Sequence, residues 1–413
     1  MKPFLTFLIG VIFTTQICFS QEFLFTKRSR NEVREGPGNY YDLLRVLPAG
    51  VKIVIQKKEG SWLNIKTPDY TKGWISKNCL SDKLPERENQ KDVETEWTSP
   101  KASKAGIAAA IRGFAERFGK ANKSNLDLLE SFEKTPFPTD EFISFTQKTL
   151  RQTQEVPYSQ LGNNAEVMVG EYHFDNSEEG IGTGIASRVA TRGLVNDKLL
   201  IKYVNFVGTY LLEMSPVFDS RFRFLILDES RPAAFAIPGG YIFITKGLLE
   251  LCDNEAELAG ALAHELIHVF KQHGRKEMNE RKYEQRQDDV FGELEQETSV
   301  EQDTSEEALN EFALEAWETV NKPRTLLMEE EADRGGAILM AHSGYDPKSL
   351  VALIKKIETV ASISVSTNLE DENPFAYLDF KQRKEHLQNF LNENLSKVSG
   401  NIFEDRFTQN AKK

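Results

Sequence analysis

Two histidines four residues apart constrain the fold of this chain more than any other feature. His264 and His268 flank Glu265 in the run His-Glu-Leu-Ile-His. Side chains at positions i and i+4 lie one above the other on one face of an α-helix, so both imidazoles can reach a single metal ion. The glutamate beside the first histidine is close enough to polarise a water on such a metal. The five residues therefore predict a metal-binding helix.

The flanking residues predict where this helix begins. Asn254 followed by Glu257 has the spacing of an N-cap with a carboxylate at the third helical position. Apolar residues then recur at helical spacing, at Leu258, Ala261, Leu262, Leu266 and Val269. We predict that the motif lies inside an amphipathic helix. The alternative is a helix that merely carries two histidines, with Glu265 as a solvated surface charge.

A catalytic zinc ion usually takes three protein ligands, so a third ligand is expected elsewhere in the chain. Glu329 is the best candidate, because it opens the run Glu-Glu-Glu-Ala-Asp and precedes an apolar segment that can pack as a helix. Asp333, at i+4, can accept the outer N–H of a zinc-bound histidine. Gly335 and Gly336 would let this helix approach the histidine helix closely. Composition alone would favour a solvated helix start for three successive glutamates.

Four separated motifs resemble the gluzincin zinc metallopeptidases of the HtpX, BepA and Oma type. They are the segment 231–249, the segment 255–259 with the histidine motif after it, the acidic run 329–334, and Gly344-Tyr345-Asp346-Pro347. The resemblance covers roughly residues 178–391. It implies one zinc ion per chain on His264, His268 and Glu329, with Glu265 as the general base.

The resemblance also implies a substrate-binding strand beside the cleft. The stretch Pro-Gly-Gly-Tyr-Ile-Phe contains Gly239, Gly240 and Tyr241, where a substrate backbone could pair as an added strand. Family members usually carry Asn-Ala-Phe before this stretch. Here Ala233 replaces the asparagine, which argues against a polar side-chain contact at that position.

Envelope members of the family carry a His-Pro pair before a downstream arginine, and in some of them this histidine binds the zinc as an inhibitory ligand. Alignment on Arg383 places Tyr377 at that position, with no proline after it. We predict that this chain lacks the histidine latch and keeps its fourth zinc position open to water. Coordination by His386 would contradict this. Tyr377 could donate a hydrogen bond to an oxyanion, and a buried structural tyrosine is the alternative.

Three classes of function follow from these residues. Zinc on two imidazoles and a carboxylate polarises a scissile carbonyl, and Glu265 can accept a proton from water. This predicts a metalloendopeptidase with polypeptide substrates, in particular unfolded or misassembled envelope proteins. A zinc aminopeptidase is one alternative, although no group that would hold a free N-terminus is visible. A non-catalytic, chaperone-like binding protein is the other, although it would be expected to have lost Glu265 or a ligand.

The first twenty residues predict export. Met1-Lys2 is positively charged, residues 4–13 are mainly apolar, and Cys18-Phe19-Ser20 puts small residues three and one before a cut ahead of Gln21. Residues 1–20 are therefore predicted to be a signal peptide, with an uncleaved anchor as the alternative. The mature chain offers no long uncharged apolar run, so no transmembrane segment is predicted there. The expected location is the periplasm or cell envelope, or outside the cell.

Residues 21–82 have the pattern of short β-strands separated by turns. The Val-Arg-x-Gly-Pro opening and the segments around Trp62 and Trp74 resemble a bacterial SH3-like domain, a small all-β barrel. Such domains often bind cell-wall peptides or protein segments, so the resemblance implies a cell-wall or protein ligand. The alternative is that the two tryptophans simply form the core of the barrel.

The complete layout has an α+β fold: a mainly helical zincin-type metallopeptidase core with a small β-sheet, preceded by the SH3-like barrel. We predict a charged linker at 83–104, a helical lead-in at 105–165, a peptidase domain at 166–395 and a C-terminal tail at 396–413. An acidic insertion at 285–307 is interpreted as a lid over the cleft or as a solvated loop. A chain of 413 residues, 40% of them hydrophobic, can fill two such compact domains.

Charge and the remaining cysteines and histidines limit the partners. A formal net charge of -12 argues against a nucleic-acid partner. With Cys18 in the signal peptide, Cys79 and Cys252 fall in different predicted domains, which favours isolated thiols over a bridge. His273 lies five residues after His268, off the metal-binding face, and the resemblance implies that it is not a ligand. His173 and His342 have no partner at metal-ligand spacing and are expected to be ordinary polar or capping residues.

Overall fold

The computed structural model describes most of the two predicted domains. The described residues are 22–68, 71–85, 135–152, 192–237, 239–274, 324–366 and 379–412, together with residues 182, 185, 186, 189 and 190. The predicted signal peptide and the predicted acidic insertion lie outside them, as do most of the linker and the lead-in. Within the described residues, no helix is long and apolar enough to cross a membrane.

The N-terminal part is all-β, as predicted. Its strands are β1 (Phe23–Thr26), β2 (Asn31–Arg34), β3 (Leu43–Leu47), β4 (Lys52–Glu59), β5 (Trp62–Lys66), β6 (Lys72–Ser76) and β7 (Leu80–Ser81). They form one sheet in the order β3-β2-β6-β5-β4-β1-β7. Val33, Ile53, Ile65 and Ile75 are completely buried and form the centre of its core. Successive side chains of a β-strand point to opposite faces of the sheet. A strand therefore needs an apolar residue only at every second position to contribute to this core.

The C-terminal part is mainly helical with a small sheet, which confirms the predicted fold class. Its helices are α1 (Thr139–Gln152), α2 (Lys198–Glu213), α3 (Lys246–Leu251), α4 (Glu255–Phe270), α5 (Leu326–His342), α6 (Lys348–Ser366), α7 (Phe380–Asn394) and α8 (Glu404–Ala411). Its strands are β8 (Arg223–Leu227), β9 (Ala234–Ile237) and β10 (Tyr241–Thr245). The sheet order is β8-β10-β9, with β8 parallel and β9 antiparallel to β10.

The small sheet is buried on both faces. Phe224 and Ile226 of β8 belong to the main helical core. The alternate residues Leu225 and Leu227 pack in a second cluster with Ile185, Ala186, Val189 and Ala190. This arrangement holds β9 and β10 rigidly beside the helices that carry the histidine motif.

Helix α4 carries the histidine motif and lies at the centre of the domain. Its side-chain cap is the predicted one, because Asn254 Oδ1 accepts the Glu257 N–H at 3.0 Å. The prediction of an amphipathic helix is wrong, since all sixteen residues of α4 are buried. A helix buried on every side needs partners for its polar side chains. Those partners come from distant parts of the chain, and the spacing of apolar residues along one helix cannot predict such contacts.

The segment predicted as a C-terminal tail, 396–413, contains helix α8. Phe407 of α8 is completely buried in the main core, and Arg406 forms an ion pair with Glu255 at the start of α4. The segment is therefore part of the helical core. Its eight-residue helix is mostly polar and has one apolar anchor, so its sequence gave little sign of packing.

Glu255 is a buried carboxylate with three partners. Its side chain accepts hydrogen bonds from the hydroxyls of Tyr203 and Tyr345, each at 2.7 Å, and from Arg406 Nε at 2.6 Å. Because Glu255 is completely buried, these contacts replace the water that its charge would otherwise need. The network ties α2, α8 and the loop after α5 to the first turn of α4.

The SH3-like sheet packs against the loop between α2 and β8. Arg28 forms an ion pair with Asp219 at 2.9 Å, and Asn39 Nδ2 donates to the backbone oxygen of Phe218 at 2.6 Å. The rings of Trp62 and Phe218 meet edge to face, 5.9 Å apart. Trp62 is thus buried by an interdomain contact as well as by its own domain.

Cys79 and Cys252 are free, buried thiols, as expected from their positions in different domains. Burial raises the pKa of the Cys79 thiol to about 12, so it remains protonated at neutral pH. Neither cysteine therefore offers a thiolate for metal binding or catalysis.

Candidate metal centre

Helices α4 and α5 bring His264, His268 and Glu329 together. Their nearest side-chain nitrogen and oxygen atoms all lie within 4.8 Å of one another, and all three residues are buried. The two histidine Nε2 atoms are 3.0 Å apart. Glu329 Oε2 is 3.4 Å from His264 Nε2, and Glu329 Oε1 is 3.5 Å from His268 Nε2. Within the described ranges, this is the one cluster of histidine, cysteine and carboxylate groups that could hold a metal ion.

These distances are compatible with a metal ion shared by the three residues. Ligand atoms at about 2.0–2.1 Å from a tetrahedral zinc ion lie about 3.3 Å from one another. The two Nε2 atoms are 3.0 Å apart, and each of them has one oxygen of Glu329 at 3.4 or 3.5 Å. When both imidazoles are neutral with the proton on Nδ1, their Nε2 lone pairs face each other, an arrangement that a cation between them stabilises. The cluster can therefore hold a metal ion.

The two glycines on α5 permit the close helix contact, as predicted. A Cβ atom on Gly336 would lie 3.2 Å from the backbone nitrogen of His264. A Cβ atom on Gly335 would lie 2.9 Å from the side chain of Ile267. Larger residues at either position would push α5 away from α4 and separate Glu329 from the histidines.

Asp333 and Arg383 surround the ligand cluster on its α5 side. Asp333 Oδ1 lies 2.8 Å from His264 Nδ1, at the predicted position, although the contact is poorly aligned for a hydrogen bond. Arg383 on α7 donates from Nε and Nη2 to Asp333 at 2.9 and 2.7 Å, and its Nη1 lies 2.8 Å from Glu329. No site role was predicted for Arg383, because only tertiary packing brings it to Asp333, which lies 50 positions earlier in the chain.

His273 contacts the second candidate histidine ligand, His268, at the ring nitrogen outside the cluster. His268 Nδ1 lies 2.7 Å from His273 Nδ1, and His273 Nε2 lies 3.1 Å from Glu331 Oε2. If Nε2 of His268 faces the metal, its proton is on Nδ1 and can be donated to His273. His273 is then neutral and donates its Nε2 proton to Glu331. His273 is outside the cluster of three candidate ligands, and its contact with His268 was not predicted.

The chain turn after α4 explains why the sequence did not reveal this contact. Gln272 has a left-handed backbone with φ of 53°, which ends the helix and turns His273 back toward His268. A continued helix would have placed His273 on another face. A histidine five residues after HExxH is thus informative only when the end of the helix is known.

Replacing His273 with alanine is expected to weaken metal binding by about 10–100-fold, because the His268 ring loses the contact that fixes its proton on Nδ1. Competition with a chromogenic chelator measures the affinity, and circular dichroism monitors the fold. His342→Ala is the control, since His342 is also buried but lies at the C-terminal end of α5. Equal losses in both variants would mean that His273 acts only through packing.

Glu265 lies between the histidine cluster and the small sheet. It is 4% exposed, and it accepts a hydrogen bond from the backbone N–H of Ala236 in β9. Its Oε2 has no hydrogen-bond partner in the part of the chain that the structure describes. Burial raises the pKa of Glu265, although His264 and Arg324 oppose this effect. A carboxylate with a raised pKa and a vacant acceptor oxygen is suited to proton transfer.

The three ligand candidates differ in how their surroundings affect protonation. Burial lowers the pKa of His268 well below its ordinary range, so this imidazole is neutral at pH 7. Burial also lowers the pKa of His264, but Asp333 and Glu329 outweigh it and raise the pKa to about 9. Burial raises the pKa of Glu329, but Arg383 and His264 hold it below its usual value. A metal must therefore displace a proton from His264, and it meets an ionised Glu329.

The predicted substrate-strand residues lie in the central strand β10 and in the turn before it. Strand β10 pairs with β8 on one side and β9 on the other, so Tyr241 cannot accept an added strand. Gly239 and Gly240, with φ of 78° and 80°, form the turn that leads into β10. Among the described strands, β9 pairs with β10 alone, so the open edge belongs to β9. The apolar run after Gly240 is typical of a buried central strand, which is what β10 is, and not of an edge strand that could pair with a substrate.

The predicted absence of a histidine latch stays a prediction. Tyr377 lies outside the described residues, as do residues 367–378 around it. His386 on α7 contacts Glu330 and is not part of the metal-binding cluster. The described chain therefore gives three candidate ligands, all of them predicted from the sequence.

Two protein families match separate parts of the chain, and individual known proteins match the second part. Residues 211–391 match Peptidase family M48, and residues 32–81 match the Bacterial SH3 domain. The beta-barrel assembly-enhancing protease of Escherichia coli K12 is 29% identical over 172 residues, which are 40% of this chain and 34% of the relative. The protein of the same name from Yersinia pestis is 30% identical over 173 residues, 41% of this chain and 35% of the relative.

A further relative matches a shorter stretch of the chain. The mitochondrial metalloendopeptidase OMA1 of Schizosaccharomyces pombe is 34% identical over 71 residues, 17% of this chain and 21% of its own length. The matched part of the chain thus spans only about a third of the bacterial relatives. The part that matches peptidase family M48, residues 211–391, contains both histidines, Glu265 and Glu329, and it follows the part that matches a bacterial SH3 domain.

Proposed function

We propose that the chain is an exported zinc metalloendopeptidase that hydrolyses peptide bonds in polypeptides. The observation that carries the proposal is the buried cluster of His264, His268 and Glu329, whose side-chain nitrogen and oxygen atoms lie within 4.8 Å of one another, with Glu265 beside His264. Two imidazoles and one carboxylate form a donor set typical of a catalytic zinc site with one position left for water. The match of residues 211–391 to peptidase family M48 supports the same proposal.

The residues of the chain have distinct roles in this mechanism. Zinc, when bound, supplies a Lewis acid that polarises the scissile carbonyl and lowers the pKa of water. Glu265 accepts a proton from the attacking water at its vacant Oε2 and later returns it to the leaving amine. Asp333, Arg383 and His273 hold the ligands in place from outside the cluster.

The open edge of β9 is the proposed position of the substrate backbone. Ala236 N–H already contacts Glu265, so its backbone points away from β10. Because ladder hydrogen bonds alternate along an antiparallel pair, Ala234 shares this outward orientation. An extended polypeptide that pairs with this edge would pass directly in front of Glu265. This arrangement supports cleavage of an internal peptide bond rather than removal of residues from a chain end.

We propose unfolded or misassembled envelope proteins as the substrates. The proposal rests on the predicted signal peptide and on the likeness to relatives named beta-barrel assembly-enhancing protease. A cell-wall or protein ligand of the SH3-like domain is proposed on its family resemblance alone. Mass spectrometry of the protein from fractionated cells would test export, since cleavage should leave Gln21 as the first residue.

Digestion of a denatured protein separates the proposed activity from its two alternatives. The zinc-loaded chain is expected to release internal fragments, which mass spectrometry identifies, and chelation should stop their release. Stepwise loss of N-terminal residues would indicate an aminopeptidase. An absence of cleavage, together with suppressed aggregation of the denatured protein, would favour a chaperone-like binding protein.

A further inference from the structure

The open edge of the small sheet ends in different side chains on its two faces. Successive residues of a strand point to opposite faces, so each row of side chains crosses β8, β10 and β9 on one face. On the face that packs in the main helical core, the rows end at β9 in Ala234 and Ala236. On the opposite face, one row ends in Phe235. Strand β9 therefore contributes only methyl groups on the α4 side and an aromatic ring on the other.

The row that ends in Phe235 is apolar along its whole length. Phe243 of β10 pairs with Leu225 of β8 on one side and with Phe235 on the other. Leu225 and Phe243 are 1% and 0% exposed, whereas Phe235 is half-buried. The rings of Phe235 and Phe243 are stacked, with their centroids 5.5 Å apart. A strand added at the edge of β9 would extend this row by one side chain, which would contact Phe235.

The hydrogen-bond pattern of β9 brings an added strand closest at Phe235. The Thr245 N–H donates to the backbone oxygen of Ala233 at 2.9 Å, so Ala233 bonds to β10. Because this pattern alternates in an antiparallel pair, Phe235 also bonds to β10, while Ala234 and Ala236 point outward. In an antiparallel substrate, the residue opposite Phe235 then belongs to a non-hydrogen-bonded pair, with about 4.5 Å between the Cα atoms. Side chains approach each other most closely in such pairs.

The charges near Phe235 favour an apolar partner over an acidic one. The guanidinium group of Arg192 lies 5.8 Å from the centre of the Phe235 ring. Arg192 donates from Nε and Nη2 to the two carboxylate oxygens of Glu229 at 2.7 and 2.8 Å, and this ion pair offsets its charge. A substrate side chain opposite Phe235 therefore meets an aromatic ring and an ion pair whose charges balance. Burial of apolar surface is then the main favourable contribution to binding at this position.

We propose that Phe235 is a specificity-determining residue, which selects polypeptides with a large apolar side chain at the position opposite its ring. The placement of the substrate along β9 rests on the proposed function. Ala236, the next residue, donates its N–H to Glu265, so the selected side chain lies within about two residues of the cleaved bond. The enzyme would thus act on extended segments with large apolar side chains, which folded proteins bury and unfolded proteins expose.

Selection is tested by binding to the full, zinc-loaded chain with Glu265→Gln, so that no probe is cleaved. Isothermal titration calorimetry compares four peptides of the form acetyl-Thr-Thr-X-Thr-Thr-amide, in which X is Phe, Leu, Ala or Glu. Because each peptide has one variable side chain, that side chain determines the register. The Phe and Leu peptides are expected to bind about fivefold more tightly than the Ala peptide, the effect of a strong cross-strand pair. The Glu peptide should bind no more tightly than the Ala peptide.

A second substitution, Phe235→Ala, separates direct contact from a general loss of structure. In this variant the preference for the Leu peptide over the Ala peptide is expected to fall below about twofold, because the ring that it contacts is gone. A substitution that only disturbed β9 would weaken both peptides by the same factor. Phe235→Leu keeps a large apolar side chain and should retain most of the preference. Leu199→Ala removes an exposed apolar side chain at the start of α2 and should leave the preference unchanged.

Selection by Phe235 and the proposed hydrolysis fail in different ways. Equal affinity for all four peptides, tighter binding of the Glu peptide, or a Leu preference that survives Phe235→Ala would overturn the selection, even where the wild-type chain cleaves a denatured protein. An absence of binding by all four peptides would overturn it as well. A Leu preference that Phe235→Ala abolishes, in a chain that releases no fragments, would support the selection and contradict the hydrolysis.

Discussion

Replacement of Glu265 by glutamine is expected to reduce peptide hydrolysis by about 10²–10⁴-fold while the metal content stays unchanged. Glutamine has nearly the same shape and can still contact the Ala236 N–H, but it cannot take a proton from water. Because Glu265 is not one of the three ligands, the metal site should remain intact. The measurement combines zinc content by atomic absorption with cleavage of a denatured protein.

The control for this variant is Glu250→Gln, which makes the same chemical change at an exposed carboxylate outside the site. It should keep the parental rate. Cleavage by Glu265→Gln at the parental rate would show that another group acts as the base. Loss of metal from Glu265→Gln would instead show that this residue helps to hold the ion.

Replacement of Glu255 by alanine is expected to lower the free energy of unfolding by about 3–5 kcal/mol. The change leaves the Arg406 guanidinium without its ion-pair partner and two tyrosine hydroxyls without an acceptor. A charge that is left without a partner destabilises the folded state by more than the ion pair stabilises it, because the surroundings exclude water. Urea denaturation followed by circular dichroism measures the effect.

Two further variants calibrate the expected change in the free energy of unfolding. Glu250→Ala is the matched control, since its exposed carboxylate lies 4.0 Å from Lys246, and it should change stability by no more than about 0.5 kcal/mol. Glu255→Gln keeps a hydrogen-bond acceptor and should fall between the two. A Glu255→Ala protein as stable as Glu250→Ala would contradict the structural role of the network.

The ligand cluster was predictable because residues at i and i+4 of an α-helix lie on the same face, whatever the fold around the helix. His264 and His268 are four residues apart, and Glu329 and Asp333 repeat that spacing on a second helix. The two adjacent glycines then indicated that the helices approach closely. Each of these inferences depends on the local geometry of one helix, which a sequence determines well.

The residues that surround the cluster were not predictable in the same way. Arg383 arrives from another helix, and His273 depends on a left-handed residue at Gln272. The open edge of the sheet depends on strand order, and strand order cannot be read from the apolar run of β10. Burial of α4 on every side also depends on neighbours that are distant in the chain.

The contact between Arg406 and Glu255 also has a consequence for biosynthesis. Arg406 lies 151 positions after Glu255. At usual rates of translation, about 8–30 s separate the emergence of the two residues from the ribosome. Throughout that interval the first turn of the histidine helix lacks the positive partner of its buried carboxylate. We therefore expect α4 to reach its full stability only after α8 has been made.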